Sequence, residues 1–325
     1  MMRASGFDAT RPLLLLAMAV AALAGFAIGH PDILSGDNLS SMAVFGVEIG
    51  LIALGQTFVI CGGDTGIDLS VGATMALSQV ILGRLIHIGA PWPVAIGAAL
   101  LTGLVLGGIN GVAVARFRIP AIIATLATLF AYDGLALVLT GGINIDLTKS
   151  SPVFLGIGQG TVAGLPFQLI ALYLPMLAIF AFAQHGTRFG RALYLTGTND
   201  RAARLAGIRV ERLRGSTYVI AGLVASIAAV VSAARLGTAR PDAGAQANLI
   251  SIAIVVLGGT AIFGGTGSVI GTALATVVIA IVDYGLSYNN FNPIYQAGVI
   301  GVILIAVILI ENPFVARRER ARKVK

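Results

Sequence analysis

The sequence predicts an all-α polytopic integral membrane protein, and three observations carry that prediction. Of its 325 residues, 57% are hydrophobic and only 11% charged, with a mean hydropathy of +0.93. The apolar residues gather in about ten runs, each close to the roughly 20 residues a helix needs to cross ~30 Å of hydrocarbon. Basic residues are confined almost wholly to alternate gaps between those runs. No length remains for a soluble catalytic domain, so residues 1–325 read as a single transmembrane domain. In a soluble protein the formal net charge of +7 would suggest a nucleic-acid partner. Here it follows from arginine retained on the cytoplasmic side, and no nucleic-acid partner is expected.

Arg3 and Arg11 precede the first run, Leu13 to Gly29. Ala22-Leu23-Ala24 before Gly25 imitates a signal-peptidase site, yet further spans follow at once. An uncleaved first span is the preferred reading, with cleavage left open. The other runs lie near residues 42–61, 70–88, 93–115, 120–140, 168–184, 216–234, 249–262, 269–286 and 294–310. If every run crosses and the N-terminus is cytoplasmic, 17 of the 21 Lys and Arg lie inside, and so does the C-terminus. Arg84, Lys149, Arg235 and Arg240 are the exceptions. Leu249 to Leu257 is short for a span before Gly258 and Gly259 interrupt it, and a re-entrant piece there would change the count by one. Residues 150–164 and 289–293 read as loops. The tail Arg317 to Lys325 reads as a topology anchor.

Two glycine-rich breaks interrupt this pattern. The first is Gly62-Gly63-Asp64-Thr65-Gly66-Ile67-Asp68-Leu69-Ser70-Val71-Gly72, with Asp68 or Ser70 placed to cap the next helix. The second runs from Gly258-Gly259-Thr260 through Gly264-Gly265-Thr266-Gly267-Ser268-Val269 to Gly271. Both carry paired glycines, then Ser-Val and another glycine, which makes a weak internal duplication plausible. Broken helices are tolerated where backbone is buried in protein or lines a wet path. Most of the 42 glycines read more simply as close helix packing.

The longest strongly polar interval, Thr196 to Gly215, lies between the sixth and seventh runs and holds five arginines from Arg201 to Arg214. Thr198 or Asn199 can cap a short helix there, Asp200 suits its positive first turn, and Gly207 can end it in a left-handed cap. Ala202, Leu205 and Ala206 share one small apolar face. A helix of about two turns is marginal alone in water, so this one is expected to dock on a cytoplasmic protein. Other chemistry is sparse. His30, His87 and His185 are far apart and Cys61 is the single cysteine, so no catalytic residue, metal or cofactor is expected.

Several stretches together resemble a known family. They are Gly66-Ile67-Asp68-Leu69-Ser70-Val71-Gly72, Gly108-Ile109-Asn110-Gly111 with Ile119-Pro120-Ala121-Ile122-Ile123-Ala124-Thr125-Leu126, Asn199 to Ile208, and Val256-Leu257-Gly258-Gly259-Thr260 running into Gly264-Gly265-Thr266-Gly267-Ser268. In that order, from about Phe45 to Glu311, they resemble the permease of bacterial ABC importers for monosaccharides, the family of ribose, xylose, rhamnose and autoinducer-2 permeases.

The resemblance implies a type II importer fold of about ten helices in the inner membrane. It implies four kinds of partner: a second permease in a homodimer or heterodimer, ABC ATPase subunits, a periplasmic sugar-binding protein, and the lipid bilayer around them. It makes the loop at about 187–214 the site of the coupling helix, with Asn199, Ala202, Ala203, Arg204, Leu205 and Gly207 carrying the contact to the ATPase. No P-loop pattern occurs in the chain, so ATP hydrolysis would belong to a partner. A sugar path needs scattered hydrogen-bonding groups, and Gln56, Thr57, Asn110, Thr125 and Thr128 are its candidates. Each can equally be satisfied by a neighbouring helix.

The chain departs from the family at Tyr132-Asp133-Gly134, at Leu249 to Ala253, and at Asp283-Tyr284-Gly285. These departures put simple transfer of ribose specificity in doubt. Ala239-Arg240-Pro241-Asp242 with Ile262-Phe263-Gly264-Gly265 looks somewhat more like rhamnose or autoinducer-2 permeases. The rival reading is an ion-coupled secondary transporter using Glu48 and Asp133, which fall within apolar runs. Asp64, Asp68 and Asp283 are better explained by breaks, caps or interfaces.

Overall fold

The computed structural model describes residues 10–292, together with residues 295, 296, 298, 299, 301, 302 and 305. Most of the tenth apolar run, all of the basic tail and Arg3 lie outside the described residues.

The first span is α1 (Thr10–Gly29), followed by a 3-10 turn at Pro31–Leu34. Ser35 then caps α2 (Gly36–Cys61) by accepting the Asn38 amide. Next come α3 (Val71–His87), α4 (Trp92–Ala115) and α5 (Ala121–Thr140). Prolines 91, 93 and 120 stand at the starts of α4 and α5, where an N–H would have no helical partner.

The stretch after α5, expected as a loop, carries structure of its own: β1 (Ile145–Asp146), α6 (Pro152–Gln159) and a hairpin of β2 (Thr161–Val162) with β3 (Leu165–Pro166). A π turn at Gln168–Tyr173 leads into α7 (Leu174–Gly186), the wide turn falling just before Pro175. The polar interval forms α8 (Arg188–Thr198) and α9 (Asp200–Leu205). The chain then continues through α10 (Val210–Leu236), β4 (Thr238–Ala239), α11 (Ala247–Leu257) and α12 (Val269–Tyr288).

Among the described residues, seven helices are long and apolar enough to cross a membrane. Two of the expected spans are shorter. Helix α3 has 17 residues and α11 only 11, and each is completed by non-helical chain: residues 62–70 before α3 and residues 237–246 before α11. Each of these two expected spans is thus helical over only part of its length. The full count of about ten is not reached within the described residues.

Helix α10 is the central post, buried against α2, α3 and α4. Its contact with α4 is made by glycines one turn apart. A Cβ added at Gly103, Gly107 or Gly111 would stand 2.3, 2.4 or 2.6 Å from the carbonyl oxygens of Gly222, Tyr218 and Gly215. The two backbones thus meet directly, which is how small residues hold helices together where lipid removes the hydrophobic drive. Helix α12 packs on α2 at Gly46 and Gly50, where the side chains of Ala280 and Thr276, joined at Gly50 by Tyr173, fill the space a Cβ would take. Helices α1, α5 and α7 sit outside this core and expose Val20, Phe130, Val138 and Phe182, as suits faces turned to hydrocarbon.

Candidate functional site

The helix bundle has two ends, and the polar interval is folded at one of them. Asn199 caps α9 by accepting the Ala202 amide at 3.0 Å, and Gly207 takes the left-handed conformation at φ 79°, both as the residue types require. Leu205 is 85% exposed and Ala206 is exposed beside it, with Ala202 half-buried. Ala203 is different. It is 0% exposed and seats α9 on the rest of the chain, so its side chain is not available to a docking partner. Arg204 is held by Glu211 at 2.6 Å, near Asp200 and with Arg118 close to the same carboxylate.

Arg214, which sequence reasoning grouped with the topology arginines, connects this helix to the first glycine break. Its buried guanidinium donates to Asp200 in the first turn of α9 at 2.8 Å, to Asp64 in the break at 3.1 Å and to the Gly62 carbonyl at 3.4 Å. Asp64 and the β-branched Thr65 both sit in the left-handed region, at φ 58° and 47°. Such conformations persist only where surrounding contacts enforce them. The partners are 150 residues apart in sequence, and no local pattern announces the pairing.

The two breaks and α8 meet at this same end through bare backbone. A Cβ at Gly197 would lie 2.1 Å from the Cys61 carbonyl oxygen, one at Gly63 2.6 Å from the Gly197 Cα, and one at Gly264 2.3 Å from the Gly63 Cα. The Gly265 amide donates to the Cys61 carbonyl at 3.1 Å, and the Tyr194 hydroxyl to the Gly267 carbonyl at 2.7 Å.

Three of the five path candidates come together. Asp68, 2% exposed, accepts from the amide and hydroxyl of Ser70. The Asn110 amide donates to Ser70 Oγ at 2.7 Å, and Thr128 donates to Asn110 Oδ1 at 2.8 Å. Thr125 donates to the carbonyls of Ile67 and Ala121. This network ties α4 and α5 to the start of α3, and it satisfies the groups that made Asn110 conspicuous. Ser70 occupies the cap position of α3, yet its hydroxyl serves Asp68 and Asn110. Thr57 lies elsewhere, bonded to Ala53 and Thr272. Gln56 is fully buried, and its amide has no partner among the described residues.

At the opposite end, a cavity of about 630 Å³ is lined by Arg84, His87, Asn144, Asp146 and Lys149 among others. Hydrogen bonds from the Thr148 amide and hydroxyl hold the Asp146 carboxyl below its usual range. Arg84 donates to the Leu139 carbonyl in the last turn of α5. Glu48, the main support for ion coupling, is paired with Arg235 at 2.6 Å, while Asp133 is half-buried with no bonded partner among the described residues.

A family described as "Branched-chain amino acid transport system / permease component" matches residues 38–308. The chain is 36% identical over 264 residues to the ribose import permease protein of Escherichia coli (strain K12), covering 81% of each chain. It is 38% identical over 263 residues to the ribose import permease protein of Bacillus subtilis (strain 168), again covering 81% of each. It is 36% identical over 265 residues to the autoinducer 2 import system permease protein of Enterobacter sp. (strain 638), covering 80% of each. No solved structure matches the chain.

Proposed function

Because the chain belongs to the branched-chain amino acid transport system / permease component family, it is a transport permease and not a catalytic enzyme, and we propose that its cargo is a monosaccharide or a similar small polyol. A separate ABC ATPase subunit supplies the energy, a second permease completes the pore, and a periplasmic sugar-binding protein delivers the solute. In this reading α9 and the glycine breaks face the cytoplasm of a bacterial inner-membrane protein, both termini lie on that side, and the cavity end faces outward.

One observation supports the coupling role of α9 more than any other: a leucine 85% exposed on a two-turn helix whose own caps and ion pairs are complete. Such a helix is already fixed, so its outward apolar tip is free to serve a groove. ATP binding would draw two ATPase subunits together and move α9, and Arg214 would carry that motion into the break before α3. Of the residues carried over from the resemblance, Ala202, Leu205 and Arg204 then face the partner, while Asn199, Ala203 and Gly207 hold the helix in shape. The ion-coupled reading loses its best residue, since Glu48 is neutralised by Arg235.

The test is a detergent pull-down of the chain from its native membrane. A P-loop ATPase is expected to co-purify. Leu205→Asp is expected to weaken the association at least tenfold at unchanged membrane level, since an apolar contact of about 1.5–3 kcal/mol is replaced by a charge. ATP-independent uptake, with no ATPase recovered, would refute the reading.

A further inference from the structure

The non-helical piece before α11 carries charge where a helix would carry none. After Gly237, β4 pairs with β1, and residues 240–246 then run alongside α3 in the opposite direction. Ala239 lies against Gly83, the Arg240 amide donates to Gln79 Oε1 at 2.8 Å, and the Gly72 amide donates to Asn248 Oδ1 at 2.9 Å. From Gly83 to Gly72 is eleven residues of helix, so the segment descends about 16 Å. That is about half of a ~30 Å hydrocarbon layer.

One side of this segment is buried at Pro241 and Gly244, while Asp242, Ala245 and Gln246 are exposed. Arg240 and Asp242 form a two-point ion pair with both bonds at 3.0 Å, their side chains 40% and 59% exposed. Arg240 is within electrostatic reach of Glu48, whose partner Arg235 lies 5.7 Å over the ring of the exposed Phe45. Irregular backbone and half-exposed charges at this depth cannot face lipid. Two cations and two anions cancel, so the surface is rich in donors and acceptors yet has no net charge. A hydroxyl-rich solute finds partners on both kinds of group, and its C–H face can lie on Phe45. An anionic solute gains no net attraction.

We propose that Glu48, Arg235, Arg240, Asp242 and Phe45 form a wall of the water-filled path in this chain, and that this wall favours neutral polyhydroxylated solutes over anionic ones. The proposal rests on the permease reading and names where the solute touches this chain. Two measurements test it. Cys61, the single native cysteine, is buried, so Ala245→Cys introduces one reactive thiol on the exposed side. In native membranes this thiol is expected to react with a membrane-impermeant charged thiol reagent. A thiol that stays unlabelled, being covered by lipid or by a second copy, overturns the wet wall whatever the cargo.

In liposomes holding the complete importer, Asp242→Asn is expected to lower ATP-driven ribose uptake about tenfold, as loss of one charge-assisted hydrogen bond would. The rate of ATP hydrolysis should hold, and ribose 5-phosphate should gain relative to ribose. Unchanged ribose uptake in both Asp242→Asn and Arg240→Gln, or full recovery in the exchanged pair Glu48→Arg with Arg235→Glu, would show static ion pairs and overturn the proposal. A wild-type complex that imports neither sugar counts against the monosaccharide cargo instead, and the labelling result still decides the wall.

Discussion

Gly107→Leu is expected to leave almost no folded protein in the membrane. The position lies at the middle of the α4–α10 contact, where even a Cβ would stand 2.4 Å from the Tyr218 carbonyl oxygen. The obstacle is backbone in a helix packed against α2, α3 and α4, so no rotamer change can relieve it. Overpacking of this kind costs at least about 3 kcal/mol where the neighbour cannot yield, roughly a hundredfold in the folded fraction. Gly108 provides the control. It is the next residue on the same helix with open space at its Cβ, and Gly108→Leu should leave membrane levels near normal. Quantitative blotting of membrane fractions, with a fluorescence-detected size-exclusion profile, separates the two variants. Equal profiles for both would mean that α4 and α10 are not in backbone contact.

Arg214→Leu should give the opposite phenotype, a protein that is present but disconnected. The carboxylates it abandons, Asp64 and Asp200, are 71% and 40% exposed and can return to water. The loss in stability is therefore about 1 kcal/mol, and the chain should accumulate. What disappears is the tie between α9 and the break before α3. Couplings between sites are typically worth 1–3 kcal/mol, roughly 5- to 150-fold, and transport per molecule of ATP hydrolysed should fall by that order. Arg214→Lys should recover only part of it, because an ammonium lacks the planar fork that reaches two carboxylates and a carbonyl. If Asp64→Asn, Asp200→Asn and the double variant lose transport additively, the two contacts act separately and the link is not a single clamp.

Much of this architecture was legible in the sequence because its causes are local. Asn199, Asp200 and Gly207 announce a capped helix within nine residues, and the small face of Ala202, Leu205 and Ala206 predicts its orientation. The first glycine break marks where the span of α3 fails to be helical throughout, whereas the second separates α11 from α12 and gives no sign of the non-helical piece at residues 237–246. The illegible parts depend on distant pairings. Arg214 is one of seven arginines between Arg188 and Arg214, and only the folded chain singles it out through Asp64. Asn110, Thr125 and Thr128 have the composition of a polar path, yet they close onto Ser70, Asp68 and the Ile67 carbonyl. Arg235 and Arg240 stand out as exceptions to the charge rule, and the reason appears only when Glu48 and Asp242 are placed beside them. Ala203 differs from Ala202 by a helical rotation of about 100°, enough to turn it inward.

The meeting of Gly63, Gly197 and Gly264 also bears on how fast this end of the molecule can change shape. Interlocked side chains must unlatch, rotamer by rotamer, before one element moves past another. Here the Gly265–Cys61 and Tyr194–Gly267 hydrogen bonds have to be exchanged, and each bare atom pair exchanged in a small displacement is worth only about 0.1–0.2 kcal/mol. The joint behaves as a low-friction bearing, so the tempo of movement there is set by whatever grips α9.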